Sequence, residues 1–537
     1  MIRAVVAALV ALALLPASAS AHALLEATTP ERSARLDAVP EQVSLRFSEP
    51  VEAAFGAVRV FDSKGREVQS GATFHPGGRG AEVAVRLRSG LPDDGYTVTY
   101  RVISADSHPV SGGFVFVVGD AAAPGTTVDE LLDSGEAGDV TGTAFGVVRA
   151  VQYAAIALGI GTLIFLLVCW RPLEASAEAA TAFRRRVRAL MLVAAAAGVL
   201  SALAAIVLQG AVAGGTSFWD ALDADVVRDV LNTRFGLYWG LGVLVWLATV
   251  VWRPAVFALA LLPALGGHAS VQSPVAVLLP ANVLHVVAMA AWLGGVIVLV
   301  FALRTATSRV GAEDRPRLLG AVVGRFSRLA GIAIATVLVT GIVQSIVEVR
   351  TFPNLFETAF GRAVLVKIAL LAGIIALGAL NRRRHLPRLA VSGAALRRTL
   401  QVEVALGLAA IATTGALAGY APSVAESSGP YSTDVTIGPA RMEMTVDPAR
   451  VGANEMHVYL FDRASGRQYD AAKELTVTAE LPEKRIAPIN LTPTKAGPGH
   501  FVITGATFGV SGDWHIEVAA RVSDFDEYRA EVEVPID

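Results

Sequence analysis

Between residues 145 and 420 the sequence carries eight apolar stretches, about 145–170, 187–213, 235–252, 254–267, 279–303, 326–349, 362–380 and 400–420, and nothing else in it limits the fold so strongly. A helix needs roughly 20 mainly apolar residues to cross the hydrocarbon core of a bilayer, where a backbone group without a partner is costly. Most of the stretches reach that length, and the fourth is short. The connecting segments differ in charge: 171–188, 253, 304–328 and 382–398 hold 18 arginines together, whereas 214–234, 268–280 and 350–362 hold 4. Basic residues accumulate on the cytoplasmic side. The first set is therefore read as inside, and an eight-helix bundle at 145–420 begins and ends outside. Of all residues 53% are hydrophobic and 17% charged, and the net charge of −2 supplies no cationic surface for a nucleic acid.

The flanks read differently. Residues 1–21 contain Arg3, an apolar run, Pro16 and a small-residue tract ending Ala19-Ser20-Ala21, the form of a signal peptide whose removal makes His22 the first residue. Residues 22–119 alternate polar and apolar over short runs broken by turn residues, which predicts an exported all-β, Ig-like sandwich. An acidic linker spans 120–144. The run from 429 to 537 is again β-like and predicts a second exported sandwich. The single cysteine, Cys169, excludes an intrachain disulfide.

A free N-terminal histidine chelates a metal through its α-amine and ring nitrogen together, and such nitrogens suit Cu(II) in tetragonal geometry. Asp106 and His108 stand two apart in Ser104-Ala105-Asp106-Ser107-His108-Pro109. On an extended backbone both side chains project from one face and can complete the coordination begun by His22. His75 lies in a predicted loop and is read as solvated.

These residues, with His22-Ala23-Leu24-Leu25, Thr29-Pro30 and Phe47-Ser48-Glu49-Pro50, resemble the copper-resistance family CopC over nearly all of 22–119. The resemblance implies a periplasmic Cu(II)-binding sandwich with His22, Asp106 and His108 as ligands and Glu49 as a further candidate near the site. The domain holds no methionine, so the methionine-rich Cu(I) site of some members is not expected.

Polar groups within apolar helices mark function or pairing. Asn282, His285 and Met289 fall on one helical face, and a histidine with a thioether suits Cu(I). His268 is a further candidate ligand on this transmembrane path. The alternative has His285 hydrogen-bonding at a helix interface while Met289 packs. Glu348 and Lys367 have similar depths and are read as a neutralising pair, and Glu403 as an inner-face ion-pair partner of Arg382–Arg384. The stretch 285–295, with Gly267-His268-Ala269, Lys367, Asn381-Arg382 and Glu403, resembles the CopD family over 145–420, and CopC–CopD fusions of the YcnJ-like type are known.

The last domain resembles YtkA-like sandwiches through 452–458 and 511–514. Its Met442, Met444 and Met456 either pack in the core or, Met456 with His457 or His515, form a soft Cu(I) site.

Taken together, the sequence describes a multi-domain, multi-pass protein of a bacterial inner (cell) membrane, with both sandwiches on the outer side. The resemblances imply a non-enzymatic protein of copper homeostasis that takes Cu(II) from a periplasmic or extracellular donor and moves copper across the lipid bilayer. No nucleotide-binding motif is present. Two alternatives stand: a haem-bearing electron carrier or copper reductase with His268 and His285 as axial ligands, and a sensor or storage module that moves nothing.

Overall fold

The structure is a computed structural model that describes residues 23–536 apart from 24, 33, 54–56, 105–108, 122–127, 129–130, 132–138, 171–176, 215–218, 220–221, 304–306, 312, 350, 388, 419–430 and 466. The expected signal peptide and most of the acidic linker lie outside the described residues. Two compact units emerge: one holds 137–212 and 216–423, the other 22–136 and 424–537, so both β-domains belong to a single unit.

In the first β-domain the strands are β1 (Leu25–Thr29), β2 (Arg35–Leu36), β3 (Gln42–Phe47), β4 (Val51–Glu52), β5 (Val58–Phe61), β6 (Gln69–Phe74), β7 (Glu82–Leu87), β8 (Gly95–Ser104) and β9 (Pro109–Val118). One sheet runs β1-β3-β7-β6 and the other β2-β9-β8-β4, with β5 also on β8. Period-two alternation sends Val43, Leu45 and Phe47 of β3 inward against Tyr96, Val98 and Tyr100 of β8 and Phe114 and Phe116 of β9. Phe47 meets Tyr100 edge-on at 5.6 Å, and the Tyr96 hydroxyl donates to Pro92 O at 2.6 Å.

The second β-domain contains β10 (Tyr431–Ile437), β11 (Ala440–Asp447), β12 (Gly452–Asp462), β13 (Glu474–Leu481), β14 (Ile486–Leu491), β15 (Thr494–Gly497), β16 (His500–Phe508), β17 (Gly512–Arg521) and β18 (Glu527–Ile536). Sheets β10-β11-β12-β16-β15 and β14-β13-β17-β18 enclose a core that includes Met442, Met444, Met456, Val458, Val477, Trp514 and Ile516. Arg32 of the first sandwich reaches Asp447 of the second at 3.0 Å.

Seven helices among the described residues are long and apolar enough to cross a membrane: α1 (Asp139–Val168), α2 (Ala177–Gly214), α3 (Arg234–Val251), α4 (Val275–Val298), α5 (Arg315–Val349), α6 (Ala359–Leu380) and α7 (Leu389–Leu417). The expected eighth, 254–267, is not a full-length helix. Pro254 ends α3's course at Trp252, and Pro263, which has no N–H, cannot make the α-helical bond back to residue 259. The backbone there becomes a 3-10 helix, Arg253–Ala260, joined to a short α-turn, Leu261–Leu265. The wider rise of 3-10 backbone, ~2.0 Å per residue, still stretches these thirteen residues to about 24 Å.

The bundle packs tightest where α1 crosses α4. A Cβ on Gly161 would lie 2.1 Å from Ala290 O, and one on Gly294 would lie 2.3 Å from Ala157 O, so only glycine permits this approach. Large apolar side chains stay on the outside, among them Val251 (92% exposed), Leu167 (71%) and Ile332 (68%). Water would penalise such a surface, whereas lipid does not. The chain is a multi-pass membrane protein.

Candidate functional site

His22, Asp106 and His108 lie outside the described residues, but the strands that flank them are in register. Leu25 pairs with Phe47, so β1 begins beside the end of β3, next to the turn that holds Glu49. Val51 pairs with Ser104, and Ile103 pairs with Pro109. Ala23, Glu49, Ser104 and Pro109 thus mark one end of the sandwich, where three sequence-distant segments terminate. Glu49 is half-buried there. His75, directly after β6, is half-buried, and its Nδ1 lies 2.8 Å from Glu82 O.

In the bundle, α4 and α5 face one another through polar side chains. Asn282 Nδ2 donates to Gln344 Oε1 at 3.1 Å, and Gln344 Nε2 donates to Thr340 O at 3.1 Å. His285 Nδ1 lies 2.9 Å from Thr340 Oγ1, whose own proton goes to Thr336 O at 2.7 Å. A hydroxyl has one proton, so Thr340 accepts from His285 Nδ1–H, and Nε2 becomes the ring's lone-pair nitrogen. Met289, one turn on, packs at the edge of the apolar core. Glu348 of α5 and Lys367 of α6 are within electrostatic reach of each other, and Lys367 also of His285. His268 sits in a separate 3-10 turn, His268–Ser270.

Glu403 does not pair with the arginines. Its partners are Asn381 Nδ2, at 2.6 Å, and the Trp292 indole, while Arg382, Arg383 and Arg384, in the turn Asn381–His385 after α6, are exposed. Among the described residues no three His, Cys, Asp or Glu side chains form a group able to hold a metal.

In the second sandwich the structure separates Met456 from His457. Adjacent strand residues face opposite ways: Met456 enters the core with Met442 and Met444, whereas His457 turns to the other face of the sheet. There its Nε2 lies 2.9 Å from Glu455 Oε1 and its Nδ1 lies 3.1 Å from His500 Nε2. His515 is elsewhere, on β17, held by Glu531 at 2.9 Å, and that contact raises its pKa. Sequence reasoning missed Glu455 and His500. The alternation Glu455-x-His457-x-Tyr459 was a usable signal for the first, but His500 arrives from a strand 43 residues away.

The fold is that of a multi-pass membrane protein that carries β-sandwich domains. Three family models match: the CopC domain at 25–119, the copper resistance protein D-like N-terminal domain at 139–277, and copper resistance protein D at 320–417. The chain thus carries CopC and CopD family domains in one polypeptide. It is 27% identical over 558 aligned residues to the copper transport protein CutJ of Bacillus subtilis, covering 96% of each chain. Copper resistance protein C of Escherichia coli is 31% identical over 107 residues, 19% of this chain and 84% of that one. The crystal structure of CopC from Methylosinus trichosporium OB3b shares 30% identity over 19% of this chain and 95% of that one, with a TM-score of 0.17.

Proposed function

We propose that this protein captures Cu(II) outside the cell membrane on its first sandwich and passes copper inward through the bundle. His22 supplies α-amine and imidazole nitrogens, Asp106 and His108 complete the set, and Glu49 tunes it from beside. The observation that carries the reading is the strand register that ends β1, β3, β8 and β9 at one end of the sandwich. The full-length similarity to a protein named for copper transport supports the second half.

Within the bundle His285 is the best-placed ligand. Thr340 orients its ring and leaves Nε2 for the ion, as an outer partner does at other metal sites. Met289 lies one turn away on the same face, and imidazole with thioether favours Cu(I). His268 is a further station on the path. Both sandwiches stand on the outer side. That assignment is supported by the arginine distribution, together with a crossing by the extended segment 253–265, which makes the count of passages even.

The test is a Cu(II) titration of residues 22–119 with an authentic His22 terminus beside a version carrying one extra N-terminal residue. The extra residue converts the amine to an amide, and tight binding is expected to be lost. Equal tight binding by both would refute the ligand set. Copper uptake by proteoliposomes tests the transport half, and flux no greater than the lipid background would remove it.

A further inference from the structure

Glu455, His457, Tyr459 and His500 lie on the face of the β10-β11-β12-β16-β15 sheet that points away from the sandwich core. Such a face is ordinarily wet, yet Glu455 and His457 are each 7% exposed and His500 is 0% exposed. The register explains their meeting. His457 pairs with Val502 and Tyr459 with His500, so His500 is the diagonal neighbour of His457 on the same face. The His500 ring stacks on Tyr459 at 4.2 Å and lies nearly parallel to His457, with 22° between the planes.

The hydrogen bonds constrain the protons. The Glu455 carboxylate accepts from His457 Nε2–H, which leaves a lone pair on His457 Nδ1 and requires His500 Nε2 to carry the shared proton. His500 Nδ1 is then a buried ring nitrogen with no hydrogen-bond partner. Native interiors rarely leave such an atom without a reason. Burial, with His457 adding to it, lowers the His500 pKa well below the usual value, so the ring is neutral and its nitrogens are available.

We propose that His457 and His500 are a second copper site, which takes Cu(I) between His457 Nδ1 and His500 Nε2 in place of the shared proton. The ligand count selects the ion. Glu455 sits behind the His457 ring, and among the described residues no third His, Cys, Asp or Glu is placed as a further ligand. Zn(II) and Cu(II) demand about four ligands, whereas d10 Cu(I) is content with two. Charge and protons balance without a redox step: the His500 proton moves from Nε2 to the unpartnered Nδ1, and both facing lone pairs bind the ion. With metal–imidazole bonds of about 2.0 Å each, the nitrogens part to roughly 4 Å. Side-chain rotation supplies this, because the strand ladder holds the backbones. Glu455 is the carboxylate behind the ligand that fixes its tautomer.

The site lies close to the contact between the two sandwiches. Asp447 pairs directly with Glu455 across β11 and β12, and Arg32 of the first sandwich is 3.0 Å from Asp447. A Cu(I) station on this face adds to the Cu(II) site proposed above and does not depend on conduction by the bundle.

The experiment is an anaerobic Cu(I) titration of the full-length protein in nanodiscs against a bicinchoninate competitor, for wild type, His457→Gln, His500→Gln and Glu455→Gln, each also in a His22→Ala background. Each histidine variant is expected to lose one equivalent of Cu(I) in both backgrounds, and Glu455→Gln to weaken that equivalent 10- to 100-fold. Unchanged stoichiometry and affinity in both histidine variants would overturn the proposal. Should a variant unfold, copper X-ray absorption on the wild type decides: a two-coordinate, nitrogen-only component supports the site, and its absence at saturating Cu(I) rejects it.

Discussion

Single side chains in this molecule are governed by whether a buried polar atom has a partner. Tyr96 is fully buried, and burial, with Asp94, Asp62 and Asp93 adding to it, pushes its pKa up to about 12. The folded value is raised above that of the unfolded chain, so the stability it contributes is intact below about pH 10 and is lost as the pH climbs to about 12. Urea unfolding of residues 22–119 should show a decline of up to about 3 kcal/mol across that window. Tyr96→Phe should cost about 1 kcal/mol at neutral pH through the lost bond to Pro92 O and should flatten the decline. Asp447 is pulled two ways: burial raises its pKa and Arg32 opposes that. Arg32→Ala leaves a buried carboxylate unpaired and should weaken the docking of the two sandwiches by roughly 1–3 kcal/mol. The loss should worsen as the pH rises through the raised pKa, and Asp447→Asn should restore most of it; hydrogen exchange of β11 in the full-length protein measures both. In the bundle, Thr340→Val frees the His285 ring to turn and should reduce copper uptake by proteoliposomes 10- to 100-fold.

At the scale of elements, glycines set how closely helices approach and prolines set where they stop. Gly294→Val drives a branched side chain into the Ala157 carbonyl and should destabilise the α1–α4 contact by about 1–3 kcal/mol, seen as a lower melting temperature in detergent. Apolar length alone made segment 254–267 look like a helix like its neighbours. Pro254 and Pro263 instead produce a stretched 3-10 passage. The proposed crossing by that passage is tested by Ser270→Cys in a Cys169→Ser background, which should react with an impermeant maleimide added outside, whereas Ala306→Cys should not. Strand alternation was legible in the same local way: the 2.0-residue period that buries Val43, Leu45 and Phe47 also separates Met456 from His457.

The whole molecule joins two sandwiches in one unit and a lipid-facing bundle in another. Copper-resistance family domains match in both units. Much of this was present in the sequence by itself: the apolar stretches, the arginine asymmetry between their connections, the period-two flanks and the Asp-x-His motif after a strand. These are local properties, decided by how a few consecutive residues meet water or lipid. Tertiary structure alone decided which distant groups touch. Glu403 met Asn381 and Trp292 instead of an arginine, and His500 crossed from β16 to share a proton with His457. Such pairings depend on helix rotation and strand register, which are set by the packing of whole elements against one another. No window of sequence contains them.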